Sequence, residues 1–125
     1  MQKPDKIHLH KKSNSLELQF GDKQWQLSAE FLRVHSPSAE VKGHGPGQEK
    51  LVDEKRKVAI ESIRYAGNYG LHIAFDDGHN SGIYTWHYLQ QMGSQQQTLW
   101  QQYLDRLNAA QKSRDPHTSV VQFSP

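Results

Sequence analysis

With 125 residues, 34% of them hydrophobic, and a formal net charge of only +2, the chain has room for one domain and one core. The absence of cysteine excludes disulfides, a thiolate nucleophile, and any zinc or iron–sulfur site built on the chain's own thiolates. No apolar run approaches the roughly 20 residues that a membrane-spanning helix needs. In chain order, Ile7 and Leu9, then Leu16, Leu18 and Phe20, alternate with polar residues, the period-two pattern of half-buried strands. Ser13-Asn14 makes the turn between them, and Gly21-Asp22 turns the chain into a third strand carrying Trp25 and Leu27. Ser28 is placed to cap a short helix bearing Phe31 and Leu32.

The run from His35 to Gln48 holds two prolines and three glycines without apolar periodicity, so it reads as a long loop. A strand is expected around Val58 to Tyr65, a turn at Ala66-Gly67-Asn68, and a strand through Leu71, Ile73 and Phe75. Asp76-Asp77-Gly78 turns the chain back towards Ile83, and Thr85 caps a second short helix with Trp86, Tyr88 and Leu89. Residues 16–32 and 71–89 share one pattern: hairpin, hydroxyl cap, and an aromatic–Leu pair three and four positions after the cap. They read as a weak internal repeat, two units packed around one core. Ser94 with Gln97 predicts a capping box. Leu99, Trp100, Tyr103, Leu104 and Leu107 then form one apolar stripe on a helix running to about Lys112.

The fold class is therefore α+β: a small antiparallel, hairpin-rich domain with two short helices and a C-terminal amphipathic helix. One domain is expected over residues 1–112, with the helix at 94–112 and a flexible tail at 113–125. The polar stretch Met1 to His10 lacks the apolar core of a secretory signal, and a cytoplasmic location is expected. The densest basic run, Lys55-Arg56-Lys57, is offset by Asp53-Glu54, so nucleic acid is not the expected partner.

Two segments carry a specific likeness. LRVHSPSAEVKGHGPG at 32–47 and FDDGHNSGIYTWHYL at 75–89 resemble, in this order and separation, the gamma-butyrobetaine hydroxylase-like N-terminal domain family. That family includes short bacterial proteins of unknown function, and the likeness spans Ile7 to Met92. In eukaryotic dioxygenases the domain precedes a catalytic domain that binds iron and 2-oxoglutarate, and it holds a structural zinc through three cysteines and a histidine. The resemblance sets Ser36, Ser38 and Val41 at the cysteine positions and His79 at the histidine, which implies loss of that zinc site. Similar domains are appended to P-loop ATPases with iron–sulfur clusters. The implied partner is thus an iron–sulfur carrier ATPase or a dioxygenase, and the implied setting is metal-cofactor handling.

The chemistry-bearing residues divide into a few groups. Among eight histidines, His35, His44 and His79 make the best candidate metal site, with Glu40 as a further candidate ligand, and a divalent ion, zinc or iron, is the candidate cofactor. His8 and His10 share one face of the first strand, but two ligands on a strand rarely make a specific site. No G-x-S-x-G elbow is present, Asp76-Asp77 reads as turn chemistry, and Gly43-His44-Gly45-Pro46-Gly47 lacks the Lys-Ser/Thr of a phosphate loop. Tyr84 and Trp86, flanking Thr85 in the Y-T-W motif, are expected in the core, with Tyr84 keeping a polar contact. No catalytic constellation emerges. The favoured reading is an accessory or protein-interaction module whose loop, including Ser36, Pro37, Ser38, Glu40 and His44, faces a partner. The alternatives are a small metal-binding domain using the loop histidines and a substrate-positioning component of a dioxygenase-type enzyme.

Overall fold

The computed structural model describes residues 3–43, 47 and 49–116. Its first sheet is the antiparallel meander β1 (Lys6–His10), β2 (Ser15–Phe20) and β3 (Lys23–Ser28). Register places Leu16 opposite Leu9 and Leu27, and Leu18 opposite Ile7 and Trp25, so one face of the sheet is apolar. The second sheet is the meander β4 (Ile60–Ala66), β5 (Gly70–Phe75) and β6 (Ile83–Thr85), with a register shift between Ile60 and Ser62. Each sheet feeds a helix: β3 leads into α1 (Ala29–Val34) and β6 into α3 (Trp86–Ser94).

The two caps behave alike. Ser28 Oγ accepts from Phe31 N–H at 3.0 Å and Thr85 Oγ1 from Tyr88 N–H at 3.1 Å, so in both units the aromatic residue three positions after the cap is fixed by the same bond. The structure thus carries two three-stranded-sheet-plus-helix units around a shared core. Leu16, Leu18, Leu27, Phe31 and Leu32 of the first pack with Leu71, Ile73, Phe75, Trp86 and Leu89 of the second. Asn14, in the left-handed turn conformation at φ 53°, joins the units across the chain. Its amide donates to Val58 O, and its side-chain oxygen accepts from Ile60 N–H.

Two local expectations need correction. The long loop contains a helical turn, α2 (Ala39–Lys42), because Ser38 Oγ accepts from Glu40 N–H and nucleates it. The capping box at Ser94 does not form: Ser94 is the last residue of α3, and its hydroxyl donates back to Gln91 O. The next helix, α4 (Gln96–Ala109), starts after Gln95 without a side-chain cap.

The apolar stripe of α4 does its expected work, with Tyr103 and Leu107 buried against Val34, Val41 and Val52. Its partner segment is held by Tyr103 Oη, which donates to Val52 O at 2.6 Å. Residues 113–116, read from the sequence as the start of a loose tail, are tied down. Arg114 forks onto the buried Glu30 carboxylate at 2.7 and 2.8 Å and lies over the Trp100 ring, while Glu54 N–H donates to Ser113 O. A buried carboxylate needs such a partner, which composition alone does not reveal. Among the described residues no helix is long and apolar enough to cross a membrane.

Candidate functional site

The site forms where the S-P-S-A-E-V segment meets the D-D-G-H turn. Gly78 adopts a φ of 90°, open to glycine, and lets the chain reverse. Asp77 Oδ1 then accepts from His79 N–H at 3.1 Å, which orients the residue after the turn. His79 is 6% exposed and Ser36 fully buried. Glu40 Oε2 lies 3.1 Å from His79 Nδ1, so that nitrogen carries the proton and donates to the carboxylate. His79 Nε2 is thereby the acceptor for the Ser36 hydroxyl at 2.8 Å, and Ser36 Oγ in turn accepts from Ser38 N–H. Ser38 Oγ reaches Ser81 Oγ at 2.7 Å. Gly82 sits against this segment so closely that a Cβ there would fall 2.6 Å from Ser36 Oγ.

A serine–histidine–carboxylate chain has the order of a nucleophile relay, but a nucleophile has to meet its substrate. Ser36 Oγ is sealed inside and also holds the Ser38 amide, so in this conformation the chain of bonds locks two loops together. Burial pushes the His79 imidazole below its ordinary value, the Arg33 charge pushes the same way, and Glu40 opposes both.

Of the positions that the resemblance equates with zinc ligands, Ser36 meets His79 and Ser38 lies beside Ser36, but their chemistry does not suit the ion. Ser36 bonds directly to His79, Ser38 to Ser81, and Val41 is buried in the apolar cluster with Val34 and Tyr103. Hydroxyls and a valine offer no thiolate or imidazole, so the residues present do not fit a structural zinc. Of the histidines proposed for a loop metal site, His44 lies outside the described residues. His35 points elsewhere: its Nδ1 donates to Phe31 O at 2.8 Å and its ring packs between Phe31 and Tyr103. Burial lowers its basicity, with the Phe31 carbonyl opposing.

Beside Glu40 and His79 opens a polar cleft of about 410 Å³, lined also by Arg33, Lys50, Asp53 and Lys55. The sequence reading missed its charge network. Asp77 Oδ2 accepts from Arg33 Nε at 2.8 Å and Lys55 Nζ at 2.6 Å. Burial would raise the Asp77 carboxyl, but hydrogen bonds from Lys55, the His79 amide and Arg33 hold it at about 2. Arg33 Nη1 is buried with no hydrogen-bond partner among the described residues. A larger groove of about 600 Å³ between α1, α3 and α4 is lined by Ser28, Phe31, Gly93, Ser94, Gln96, Gln97 and Trp100, with no ionisable side chain. Tyr84 and Trp86 are fully buried, and Tyr84 Oη donates to Leu32 O at 2.6 Å, pinning β6 to α1 behind the site.

Half-buried His35 and buried His79 set a pH dependence. Both are lowered in the fold from 6.5, so below that pH the unfolded chain binds more protons than the folded one. Their contribution is fully present above pH 6.5 and is lost as pH falls below it. The melting temperature should therefore drop between pH 7 and 5, and a His35→Gln/His79→Gln double variant should show a flatter profile. Equal slopes in calorimetry would contradict this assignment. Asp77 titrates below that window and leaves it unaffected.

The family profile described as "Gamma-butyrobetaine hydroxylase-like, N-terminal" matches residues 7–90. Among solved structures, one protein determined by solution NMR is 47% identical, covering 100% of this chain and 99% of its own, with a TM-score of 0.83. A second NMR structure is 43% identical over 100% of this chain and 95% of its own, with a TM-score of 0.78. A crystal structure of a DUF971-family protein of unknown function from Acidithiobacillus ferrooxidans ATCC 23270 is 31% identical over 72% of this chain and 91% of its own, with a TM-score of 0.61. Comparison with curated proteins returns no match.

Proposed function

Since the chain belongs to the gamma-butyrobetaine hydroxylase-like N-terminal domain family, we propose that it is an accessory, protein-interaction module whose polar cleft receives a charged segment of a partner protein. The observation that carries this reading is Glu40. Its side chain is 70% exposed, yet its carboxylate is anchored by the buried His79 at the edge of the cleft. An exposed charge held in one place is suited to recognition, because less side-chain freedom is lost on binding. Arg33 and Lys55, gathered on Asp77, supply the opposite sign in the same cleft, and complementary charge of this kind selects partners and their orientation. By analogy with its relatives, the partner sought is an iron–sulfur carrier ATPase or a dioxygenase, and the role is metal-cofactor handling without a catalytic site of its own.

The test is cross-linked affinity capture with the wild-type chain, Glu40→Arg, Lys55→Glu, and the control Tyr65→Ser, which alters an exposed tyrosine outside the cleft. A partner shared by wild type and control and lost in both cleft variants is the expected result. Identical capture by all four proteins, or no reproducible partner, would overturn the proposal.

A further inference from the structure

The outer face of the first sheet is polar throughout. Lys6, His8 and His10 of β1 stand opposite Gln19, Glu17 and Ser15 of β2, which in turn face Gln24, Gln26 and Ser28 of β3. Side chains two apart share a face, so these residues form one layer with Glu17 at its centre. Glu17 is only 7% exposed, a buried carboxylate on a sheet face that has no apolar cover from its own strand neighbours. Its two oxygens have different surroundings. Oε2 accepts from Gln24 and from Lys6, whose Nζ lies at 3.2 Å. Oε1 faces His10 Nε2 at 2.7 Å. The His8 and His10 rings stack, with centroids 4.1 Å apart and planes inclined by 16°. One ligand atom from each of His8, His10 and Glu17 lies within 4.8 Å of the other two.

We infer that His8, His10 and Glu17 form an exchangeable binding site for a divalent transition-metal ion. Two nitrogens and one oxygen are a suitable donor set for zinc, nickel or copper. Three protein ligands leave a fourth position open to water, the arrangement of a site that exchanges or presents its ion. Ligand atoms about 2.0–2.2 Å from a tetrahedral ion stand roughly 3.3–3.6 Å apart. Reaching that from the present spacing needs small rotations of His8, which is exposed, and of His10, which is half-buried.

His10 Nε2 now donates to Glu17. On binding, Nε2 gives up that proton and turns its lone pair to the ion, while the neutral ring keeps one proton on Nδ1. Gln24 keeps hold of Oε2, which leaves Oε1 as the ligating oxygen. The Lys6 ammonium opposes a second cation, but that side chain is 49% exposed and free to swing into water. A His-x-His pair on a strand becomes a site here because the cross-strand neighbour adds a third, buried ligand. The site is separate from the Ser36–His79 cleft, and neither reading depends on the other.

The experiment is calorimetric titration of the full, untagged chain with zinc chloride in chelator-free buffer, alongside His8→Gln, His10→Gln, Glu17→Gln and His79→Gln. One equivalent of zinc is expected, weakened at least about tenfold by His8→Gln and by His10→Gln, and retained by His79→Gln. Should Glu17→Gln disturb the sheet, the exposed His8→Gln carries the decision, with an amide NMR spectrum confirming its fold. Absence of one-equivalent binding, binding indifferent to His8→Gln, or binding lost only in His79→Gln would each overturn the inference.

Discussion

Trp86→Ala is expected to cost about 3–5 kcal/mol, enough to leave a domain of this size barely folded. Trp86 is fully buried and opens α3 at the junction of the two units. Its indole Nε1–H donates to Asn68 O at 2.8 Å, its backbone N–H to Tyr69 O at 3.0 Å, and its ring meets Tyr65 edge-on. The core cluster to which it belongs draws leucines from both sheets, and a close-packed interior of that kind collapses only partly into the space left by a large ring. Trp86→Phe keeps most of the packing and loses the indole bond, and about 1–2 kcal/mol is expected. Urea unfolding followed by circular dichroism measures both, and a Trp86→Ala loss under about 1 kcal/mol would show that the core is not continuous through this ring.

Gly82→Ala should disrupt the candidate site more than its size suggests. The added Cβ falls 2.6 Å from Ser36 Oγ, 3.1 Å from Pro37 Cδ and 3.3 Å from Ser38 N, so the 36–38 segment has to move. Overpacking of this kind costs about 1–3 kcal/mol. The specific readout is His79: once the Ser36 bond opens and water enters, its imidazole should titrate closer to the ordinary histidine value, as followed by NMR. Removing the Ser36 hydroxyl in the same chain relieves the tightest contact, so Ser36→Ala combined with Gly82→Ala should be less destabilised than the two single effects added together. A His79 titration unchanged by Gly82→Ala would mean that the loops are not locked through Ser36.

Much of the architecture was legible in local pattern. The alternation of Leu16, Leu18 and Phe20, the hydroxyls of Ser28 and Thr85, and the stripe from Leu99 to Leu107 each report a period or cap that the backbone obeys wherever the element packs. Local signals failed where two elements compete for one residue. Ser94 has the spacing of a cap, but α3 arrives first and takes its hydroxyl for a carbonyl at Gln91. Arg114 looked like part of a tail because the carboxylate that holds it, Glu30, is far away in sequence.

The candidate site divides in the same way. Family likeness singled out Ser36, Ser38, Val41 and His79, and the histidine grouping added Glu40, yet neither could say that Ser36 and His79 bond to each other or that Glu40 reaches into water. Lys55 and Asp77 read only as part of a basic run and of a turn, and nothing tied them to Arg33, since single charges at wide spacing have no period to detect. Glu17 sits one strand away from His8 and His10, and only register shows it to be their neighbour.

By itself, then, the sequence determined the α+β class, the two sheet-and-helix units, the covering helix and the family, because periodicity and capping depend on near neighbours along the chain. Only the tertiary structure decided which polar groups meet, which are sealed from water and which stay exposed. Those outcomes depend on contacts between residues such as Ser36 and His79 or Glu30 and Arg114, whose separation along the chain leaves no trace in local pattern.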